Sequence, residues 1–264
     1  MEERAEEEEE EEVSHVVLPL FSSSGCGGRY HLQPMRIDIL VRTRTPVRVP
    51  GVEEEPPLFV DALWPGALFL ADYLGRHSSV VRGLSVLELG AGAGLPSLVS
   101  CKLGASRVIV TDYPAAGVLE NLRELLADNG IPESLCEAHP HVWGQDPGPL
   151  LSLLPPSAQQ GEGGFDVLLL AELLWQDTTA LHPALLQSVL ACLGACGVAL
   201  VSFAHRPTPS HSPAHDLILF DLAAAAGLST TLLETNATDY CDDSSGSGEG
   251  PVAVHLYAMR RTAC

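Results

Sequence analysis

Apolar residues along the chain alternate between short unbroken runs and segments with helical spacing. The runs VLEL, VIVT and VLLLA, which begin at positions 86, 108 and 167, are almost wholly apolar. Such runs are typical of strands that are buried on both faces of a sheet. Each run is followed by a segment in which apolar residues recur every three or four positions. This alternation predicts a parallel sheet with helices packed on both faces.

The same pattern gives bounds for the predicted elements. Strands are predicted at 84–90, 107–112, 137–144, 165–174 and 197–205, and helices at 61–77, 94–104, 115–130, 177–194 and 214–227. Two further strands, 229–235 and 252–261, have no helix between them and should pair antiparallel at one edge. The predicted fold class is α/β, with a doubly wound, seven-stranded, mostly parallel sheet that ends in a C-terminal antiparallel hairpin.

The N-terminal region differs in composition from this body. Residues 1–12 contain nine glutamates, which cannot bury apolar surface, so we predict an acidic, disordered tail over residues 1–28. The segment 37–43 alternates in the manner of a strand. Residues 29–264 are predicted to form one domain, because the 264-residue chain with 46% apolar residues suffices for one sizeable core.

Composition restricts the possible partners. The formal net charge is −20, so tight binding of nucleic acid is not expected, whereas a basic protein or a cationic substrate would be attracted. The longest apolar runs are too short to cross a bilayer. The seven cysteines include no C-x-x-C pair, which favours free thiols in a reducing compartment over a metal site. We expect a cytoplasmic protein that binds no metal, nucleic acid or membrane, and that is a monomer.

Three glycines follow the first buried strand, in the stretch VLELGAGAG. Gly90, Gly92 and Gly94 stand at the carboxyl end of the strand, where doubly wound sheets bind their ligands. The dinucleotide fingerprint G-x-G-x-x-G is incomplete, because position 95 is leucine. The pattern G-x-G-x-G after an acid-bearing strand is typical of S-adenosylmethionine enzymes, and Glu88 could attract the cationic cofactor. A plain tight turn is the alternative interpretation of these glycines.

Residues at the next strand ends extend this hypothesis. Asp112 follows Gly90 by 22 positions and could accept both ribose hydroxyls, as the corresponding acid does in nucleotide-binding folds. It could also cap the following helix, and the two roles are compatible. Trp143 ends the third strand of the alternating series and could pack on an adenine ring or belong to the core. Trp64, taken alone, is a core candidate.

Several stretches resemble the family-16 protein methyltransferases: LWPGALFLADYL, VLELGAGAGLPSLVSCKLGASRVIVTDYP, VWG, AELLW and VSFAHRP. The resemblance runs from about residue 58 to about residue 260 and is greatest to the fungal subgroup that methylates the N-terminus of elongation factor 1-alpha. It implies a Rossmann-like class I fold and S-adenosylmethionine as the cofactor. It also implies a protein substrate, elongation factor 1-alpha, methylated at its N-terminal amine, at a nearby lysine or at both.

The resemblance also assigns residues to the cofactor and to the reaction. The residues expected to contact S-adenosylmethionine, besides Glu88, are Trp64, Gly90, Ala91, Gly92, Asp112, Tyr113, Trp143 and Ala171. The family carries an Asp/Glu-x-x-Tyr/Phe motif after the fourth strand of the series, which reads Glu-Leu-Leu-Trp here. Glu172 and Trp175 are therefore the catalytic candidates, although tryptophan replaces the usual aromatic residue and puts the substrate preference in doubt.

The chemistry of methyl transfer requires a neutral amine. Near pH 7.4, deprotonation costs about 4 kcal/mol for a lysine but well under about 1 kcal/mol for an α-amino group. Glu172 could orient the ammonium or take its proton through water, or it could cap the next helix. Trp175 could form one wall of a methylammonium pocket, or simply pack. His205 and Tyr240 are weaker candidates in loops.

Other functions are compatible with these motifs. One is a protein-lysine methyltransferase with another substrate, and another is a small-molecule N-methyltransferase such as one that uses nicotinamide. A cofactor-binding module without catalysis is disfavoured by the presence of Glu88, Gly90, Gly92 and Asp112 together. A nicotinamide-dependent oxidoreductase is disfavoured by the incomplete glycine fingerprint.

Overall fold

The structure of the protein, a computed structural model, describes residues 12–24, 31–43, 63–115, 117–155, 163–206, 212–238 and 252–262. Its strands are β1 Glu12–Ser24, β2 His31–Thr43, β3 Ser85–Leu89, β4 Arg107–Asp112, β5 Cys136–Pro140, β6 Phe165–Ala171, β7 Leu193–Ala204, β8 Leu228–Thr238 and β9 Val252–Arg261. Its helices are α1 Pro65–Arg76, α2 Leu95–Lys102, α3 Val118–Asp128, α4 Gly148–Leu151, α5 His182–Cys192, α6 Pro213–Asp216 and α7 Ile218–Ala225. Short 3-10 helices span Ser78–Val80 and Gln176–Leu181.

Seven of these strands form one sheet in the order β5-β4-β3-β6-β7-β9-β8. The pairs among β3 to β7 are parallel, whereas β9 is antiparallel to both β7 and β8. This confirms the predicted mostly parallel sheet with a C-terminal antiparallel hairpin. The chain runs outward from β3 through β4 to β5 and then returns to the other side of β3 with β6, so the topological switch point lies between β3 and β6.

The sheet has an apolar layer on each face. Leu70, Leu98 and Leu122, from α1, α2 and α3, belong to one layer, and α5 and α7 contribute to the other. Neighbouring strand residues enter opposite layers: Val86 lies in the first and Leu87 in the second. Burial on both faces explains why these strands read as unbroken apolar runs.

An antiparallel ribbon of β1 and β2 lies outside the main sheet. Its register runs from Glu12 opposite Thr43 to Ser24 opposite His31, and the predicted strand 37–43 falls within β2. The strand β1 falls inside the segment 1–28 that was predicted to be a disordered tail, so the structure differs from that prediction over residues 12–24. The strand contains the nearly continuous apolar stretch VVLPLF, whose Val, Leu and Phe residues favour a strand where the preceding glutamates do not. Residues 1–11 lie outside the described residues, and the division into tail and domain remains a prediction.

The cysteines agree only partly with the prediction of free thiols. Cys101, Cys136 and Cys192 are free and buried, whereas Cys196 is disulfide-bonded. Within the described ranges, no group of three potential metal ligands is close enough to hold an ion. None of the described helices is long and apolar enough to cross a membrane.

Candidate active site

The glycine loop after β3 lies at the switch point and faces the loops that follow β5 and β6. Gly90 and Gly92 have φ of 63° and 51°, a left-handed conformation that side chains disfavour. A Cβ atom on Gly90 would lie 2.7 Å from Leu173 Cδ2 and 3.2 Å from Trp143 Cζ2. A side chain at 90 would therefore collide with Leu173, so the loop needs glycine at this switch point, where a ligand of this fold is expected.

Asp112 joins the end of β4 to the glycine loop. Its Oδ2 accepts a hydrogen bond from Gly92 N–H at 2.7 Å, and its Oδ1 accepts one from Tyr113 N–H at 2.6 Å. The residue is only 7% exposed, whereas Tyr113 is exposed. The N-cap of α3 is Gly117, so the structure does not support the alternative role of Asp112 as the cap of that helix.

Glu88 lies beneath the glycine loop and not at its mouth. The residue is 1% exposed, and its Oε2 accepts a hydrogen bond from Ser97 N–H, in the first turn of α2, at 2.9 Å. Burial raises the pKa of the Glu88 carboxyl from 4.5 to about 8, and the hydrogen bond from Ser97 opposes this rise. Glu88 thus supports the start of α2, and its contact with a cofactor remains a prediction.

Trp143 is held in the loop after β5 by contacts to α5. Ser188 Oγ accepts a hydrogen bond from Gly144 N–H at 2.9 Å and lies 2.9 Å from His141 Nε2. Burial lowers the pKa of His141, so its imidazole is neutral near pH 7. These contacts fix the residues on both sides of Trp143, whose ring packs against the second apolar layer and lies beside Gly90.

Glu172 occupies the turn after β6 with an unusual backbone. Its φ of 56° is positive, a conformation found at no other non-glycine residue in the described ranges. Its Oε1 accepts a hydrogen bond from Gly66 N–H, in the first turn of α1, at 2.6 Å. A Cβ atom on Gly66 would lie 2.9 Å from Glu172 Oε1 and 2.8 Å from Ser202 O, so only glycine allows this approach.

The second carboxylate oxygen of Glu172 binds the loop after β7. Oε2 accepts a hydrogen bond from Arg206 at 2.7 Å and a longer one, at 3.4 Å, from Ala204 N–H. The Arg206 guanidinium also lies over the Trp64 ring, 5.1 Å from its centroid. We call Trp64, Gly66, Glu172 and Arg206 the Glu172 cluster; it ties α1 to the ends of β6 and β7.

Sequence reasoning had named Trp64 and Glu172 without connecting them, and it had missed Gly66 and Arg206. Arg206 belongs to the stretch VSFAHRP that carries the resemblance, but the resemblance assigns it no role. Gly66 is 106 positions from Glu172, and no spacing rule relates them.

The other predicted residues are also at this edge of the sheet. Ala171 is the last residue of β6, and Trp175 begins the 3-10 helix Gln176–Leu181, where its N–H donates to Thr178 Oγ1 at 3.1 Å. His205 follows β7, and its Nδ1 lies 2.6 Å from Asp216 Oδ2. Tyr240 lies outside the described residues.

The whole of this edge falls within a segment that matches a known family. A family model described as lysine methyltransferase matches residues 59–215, which is more than half of the chain. The chain belongs to this lysine methyltransferase family. It is therefore a protein methyltransferase, and its predicted site residues other than Tyr240 lie inside the matched segment.

Curated relatives of this methyltransferase carry a more detailed name. It is 39% identical over 235 residues to the protein N-terminal and lysine N-methyltransferase EFM7 of Eremothecium gossypii, covering 84% of this chain and 83% of the relative. It is 32% identical over 206 residues to the protein of the same name from Schizosaccharomyces pombe, covering 76% and 78%.

Solved structures share the fold of this methyltransferase. A protein proposed to be an RNA methyltransferase from Pyrococcus horikoshii matches with a TM-score of 0.52 and 16% identity, covering 79% of this chain and 89% of that one. A protein from Streptococcus mutans, proposed to be an S-adenosylmethionine-dependent methyltransferase, matches with a TM-score of 0.51 and 11% identity, covering 84% and 53%. At these identities the likeness concerns the fold alone.

Proposed function

We propose that this methyltransferase uses S-adenosylmethionine to methylate the N-terminal amine, and a lysine near it, of elongation factor 1-alpha. The proposal includes action as a cytoplasmic monomer on a protein substrate. The relatives named as N-terminal and lysine methyltransferases support the substrate class. The observation that carries the proposal is the hydrogen bond between Asp112 and Gly92, which couples a left-handed glycine loop to a carboxylate at the switch point.

The residues at the switch point fit the proposed cofactor. The Asp112 carboxylate stands at the carboxyl end of β4 and is anchored to the glycine loop by the Gly92 N–H, and an acid at this place can accept ribose hydroxyls. The Trp143 ring lies beside Gly90 and can pack on an adenine. Trp64, Ala91, Tyr113 and Ala171 would complete the contacts at the ends of α1, β3, β4 and β6.

The cofactor, when bound, supplies a methyl group on a cationic sulfur that is a good leaving group. The task of the chain is then to hold the amine in line with that methyl and to exclude water. Glu172 contributes by fixing the start of α1 and the loop after β7, because both of its carboxylate oxygens accept hydrogen bonds from those elements. Trp175, on the same turn, is proposed as a wall of the amine pocket.

The charge of the protein supports a cationic substrate. A net charge of −20 favours encounter with a basic segment of a protein and raises the association rate at low ionic strength. An α-amino group needs little help to become neutral near pH 7.4, so N-terminal methylation makes a smaller demand on the site than lysine methylation does.

A pair of peptides tests the proposed function. One peptide carries the N-terminal sequence of elongation factor 1-alpha with a free α-amine and no lysine; the other is N-acetylated and carries one lysine. We expect both to be methylated with labelled S-adenosylmethionine, and equilibrium binding of the cofactor to accompany this activity. Methylation of the acetylated peptide alone would contradict the N-terminal part of the proposal. Methylation of nicotinamide but of neither peptide would replace it by a small-molecule activity.

A further inference from the structure

A histidine and a buried aspartate form a hydrogen-bonded pair beside the Glu172 cluster. His205 Nδ1 donates to Asp216 Oδ2 at 2.6 Å, because an ionised carboxylate can only accept. Asp216 is 1% exposed, whereas the His205 side chain is 21% exposed. The hydrogen bond at Nδ1 selects the tautomer in which Nε2 carries the free lone pair. Nε2 forms no hydrogen bond with the described part of the chain.

The fold places this pair next to the residues that organise the amine site. His205 lies between Ala204 and Arg206, and both of these neighbours donate to the Glu172 carboxylate. The strands β6 and β7 are parallel neighbours, so the turns after them meet at one edge of the sheet. Glu172 and His205 therefore belong to the same end of the site, although 33 positions separate them in the sequence.

A second histidine lies beside the His205 ring. The His255 ring, on β9, lies with its centroid 5.0 Å away, and its Nδ1 is 3.1 Å from Thr235 Oγ1. Burial, and then the proximity of His205, lower the pKa of His255, so it stays neutral beside a protonated His205. Arg206, the neighbour in sequence, has its charge neutralised by Glu172. Asp216 is thus the group that holds the His205 imidazole in place through Nδ1.

Glu172 is poorly suited to remove a proton from the substrate. Its side chain is 5% exposed, and its two oxygens already accept from Gly66, Arg206 and Ala204. Protonation of Oε2 would break the ion pair with Arg206. A lysine amine, with a pKa near about 10.4, is the substrate that most needs a proton acceptor.

We propose that His205 is the proton acceptor for the substrate amine and that Asp216 is the positioning residue for its imidazole. This assignment rests on the proposed protein N-methylation. The ammonium gives its proton to His205 Nε2 and becomes a neutral amine. The nitrogen lone pair then forms the N–C bond as the C–S bond breaks, and its electron pair stays on the departing sulfur. The imidazolium afterwards releases the proton to water.

The test compares His205→Gln and Asp216→Asn with wild type on the two peptides, from about pH 6.5 to about pH 9.5. His139→Gln is the matched control, because His139 also pairs with a carboxylate, that of Glu137, at 3.0 Å. Melting temperature and affinity for S-adenosylhomocysteine are measured for each variant.

We expect His205→Gln to lower kcat on the lysine peptide by about 100-fold at pH 7.4, within the usual range for a general base. The loss should shrink as the pH rises, since more of the lysine is then neutral in solution. The α-amine peptide should lose about threefold or less, because roughly a quarter of such amines are already neutral at pH 7.4. Asp216→Asn should lower kcat on the lysine peptide with KM within about twofold of wild type, because the imidazole loses the carboxylate that fixes its tautomer and orientation.

Three results would overturn the assignment. The first is a lysine kcat for His205→Gln within twofold of wild type. The second is an equal, pH-independent loss on both peptides, which would indicate a structural role. The third is a lysine kcat for Asp216→Asn within twofold of wild type. Wild-type protein that methylates neither peptide would instead refute the proposed function, and this assignment with it.

Discussion

Replacing Asp112 by asparagine tests the proposed cofactor site most sharply. In the structure each carboxylate oxygen accepts one backbone N–H, from Gly92 at 2.7 Å and from Tyr113 at 2.6 Å. The proposed role requires this carboxylate also to accept the ribose hydroxyls of the cofactor. Asparagine has a single acceptor oxygen and no charge, so it can accept hydrogen bonds from only some of these donors.

The size of the effect follows from that loss. Hydrogen bonds to a charged group contribute about 1.5–3 kcal/mol each, against about 0.5–1.5 kcal/mol for neutral pairs. Exchanging two charged bonds for one neutral bond should therefore weaken binding by roughly 1.5–5.5 kcal/mol, which is about 10- to 10,000-fold in Kd. Asparagine also turns its amide N–H₂ toward one of the two backbone donors, so the free protein should lose some stability as well.

Isothermal titration calorimetry with S-adenosylmethionine and S-adenosylhomocysteine measures this change, and thermal melting separates it from the loss of stability. Asp166→Asn is the matched control, because Asp166 Oδ2 likewise accepts from a backbone N–H, that of Ser85, at 2.8 Å. That pair lies at the opposite end of β3 and β6, so cofactor affinity should not change. An Asp112→Asn affinity within twofold of wild type would refute the ribose role.

Three further predictions concern the residues around this site. Glu88→Gln should raise the melting temperature more at pH 8.5 than at pH 5. The buried Glu88 carboxyl has a pKa of about 8, so its ionisation destabilises the fold progressively as the pH rises from 4.5 to about 8. Equal shifts of the melting temperature at both pH values would contradict this reasoning. Gly66→Ala should lower the free energy of unfolding in denaturant by about 1–3 kcal/mol, since the added Cβ would lie 2.8 Å from the backbone oxygen of Ser202. An unchanged free energy of unfolding would show that α1 can shift freely. Glu172→Gln should lower kcat on both peptides by similar factors, because the carboxylate orients elements common to both reactions; a loss confined to the lysine peptide would show that Glu172 takes the proton.

Much of the fold could be predicted because strands that are buried on both faces of the sheet appear in the sequence as unbroken apolar runs. Strand β4 and strand β9 agree with their predicted bounds to the residue. Other bounds were wrong for local reasons. The strand predicted over 165–174 ends at Ala171, because Glu172 adopts a positive φ that a continuing strand does not allow.

The site could be predicted only where its residues form a contiguous motif or stand at the carboxyl ends of neighbouring strands. The glycine loop and Asp112 follow from strand order, since both stand at carboxyl ends of adjacent strands. The interactions of Glu172 with Gly66 and Arg206, and of His205 with Asp216, depend on how separate turns meet in three dimensions. No periodicity encodes such contacts, and the disulfide at Cys196 was missed for the same reason.

The most direct test of the proposed function is mass spectrometry of elongation factor 1-alpha after incubation with the enzyme and isotope-labelled S-adenosylmethionine. The substrate is full-length factor expressed without eukaryotic methylation, and Asp112→Asn enzyme serves as the control for background labelling. We predict label on the N-terminal amine and on a lysine close to it, with much less in the control. Absence of label from the N-terminal peptide, in a reaction where wild-type enzyme binds the cofactor, would contradict the account.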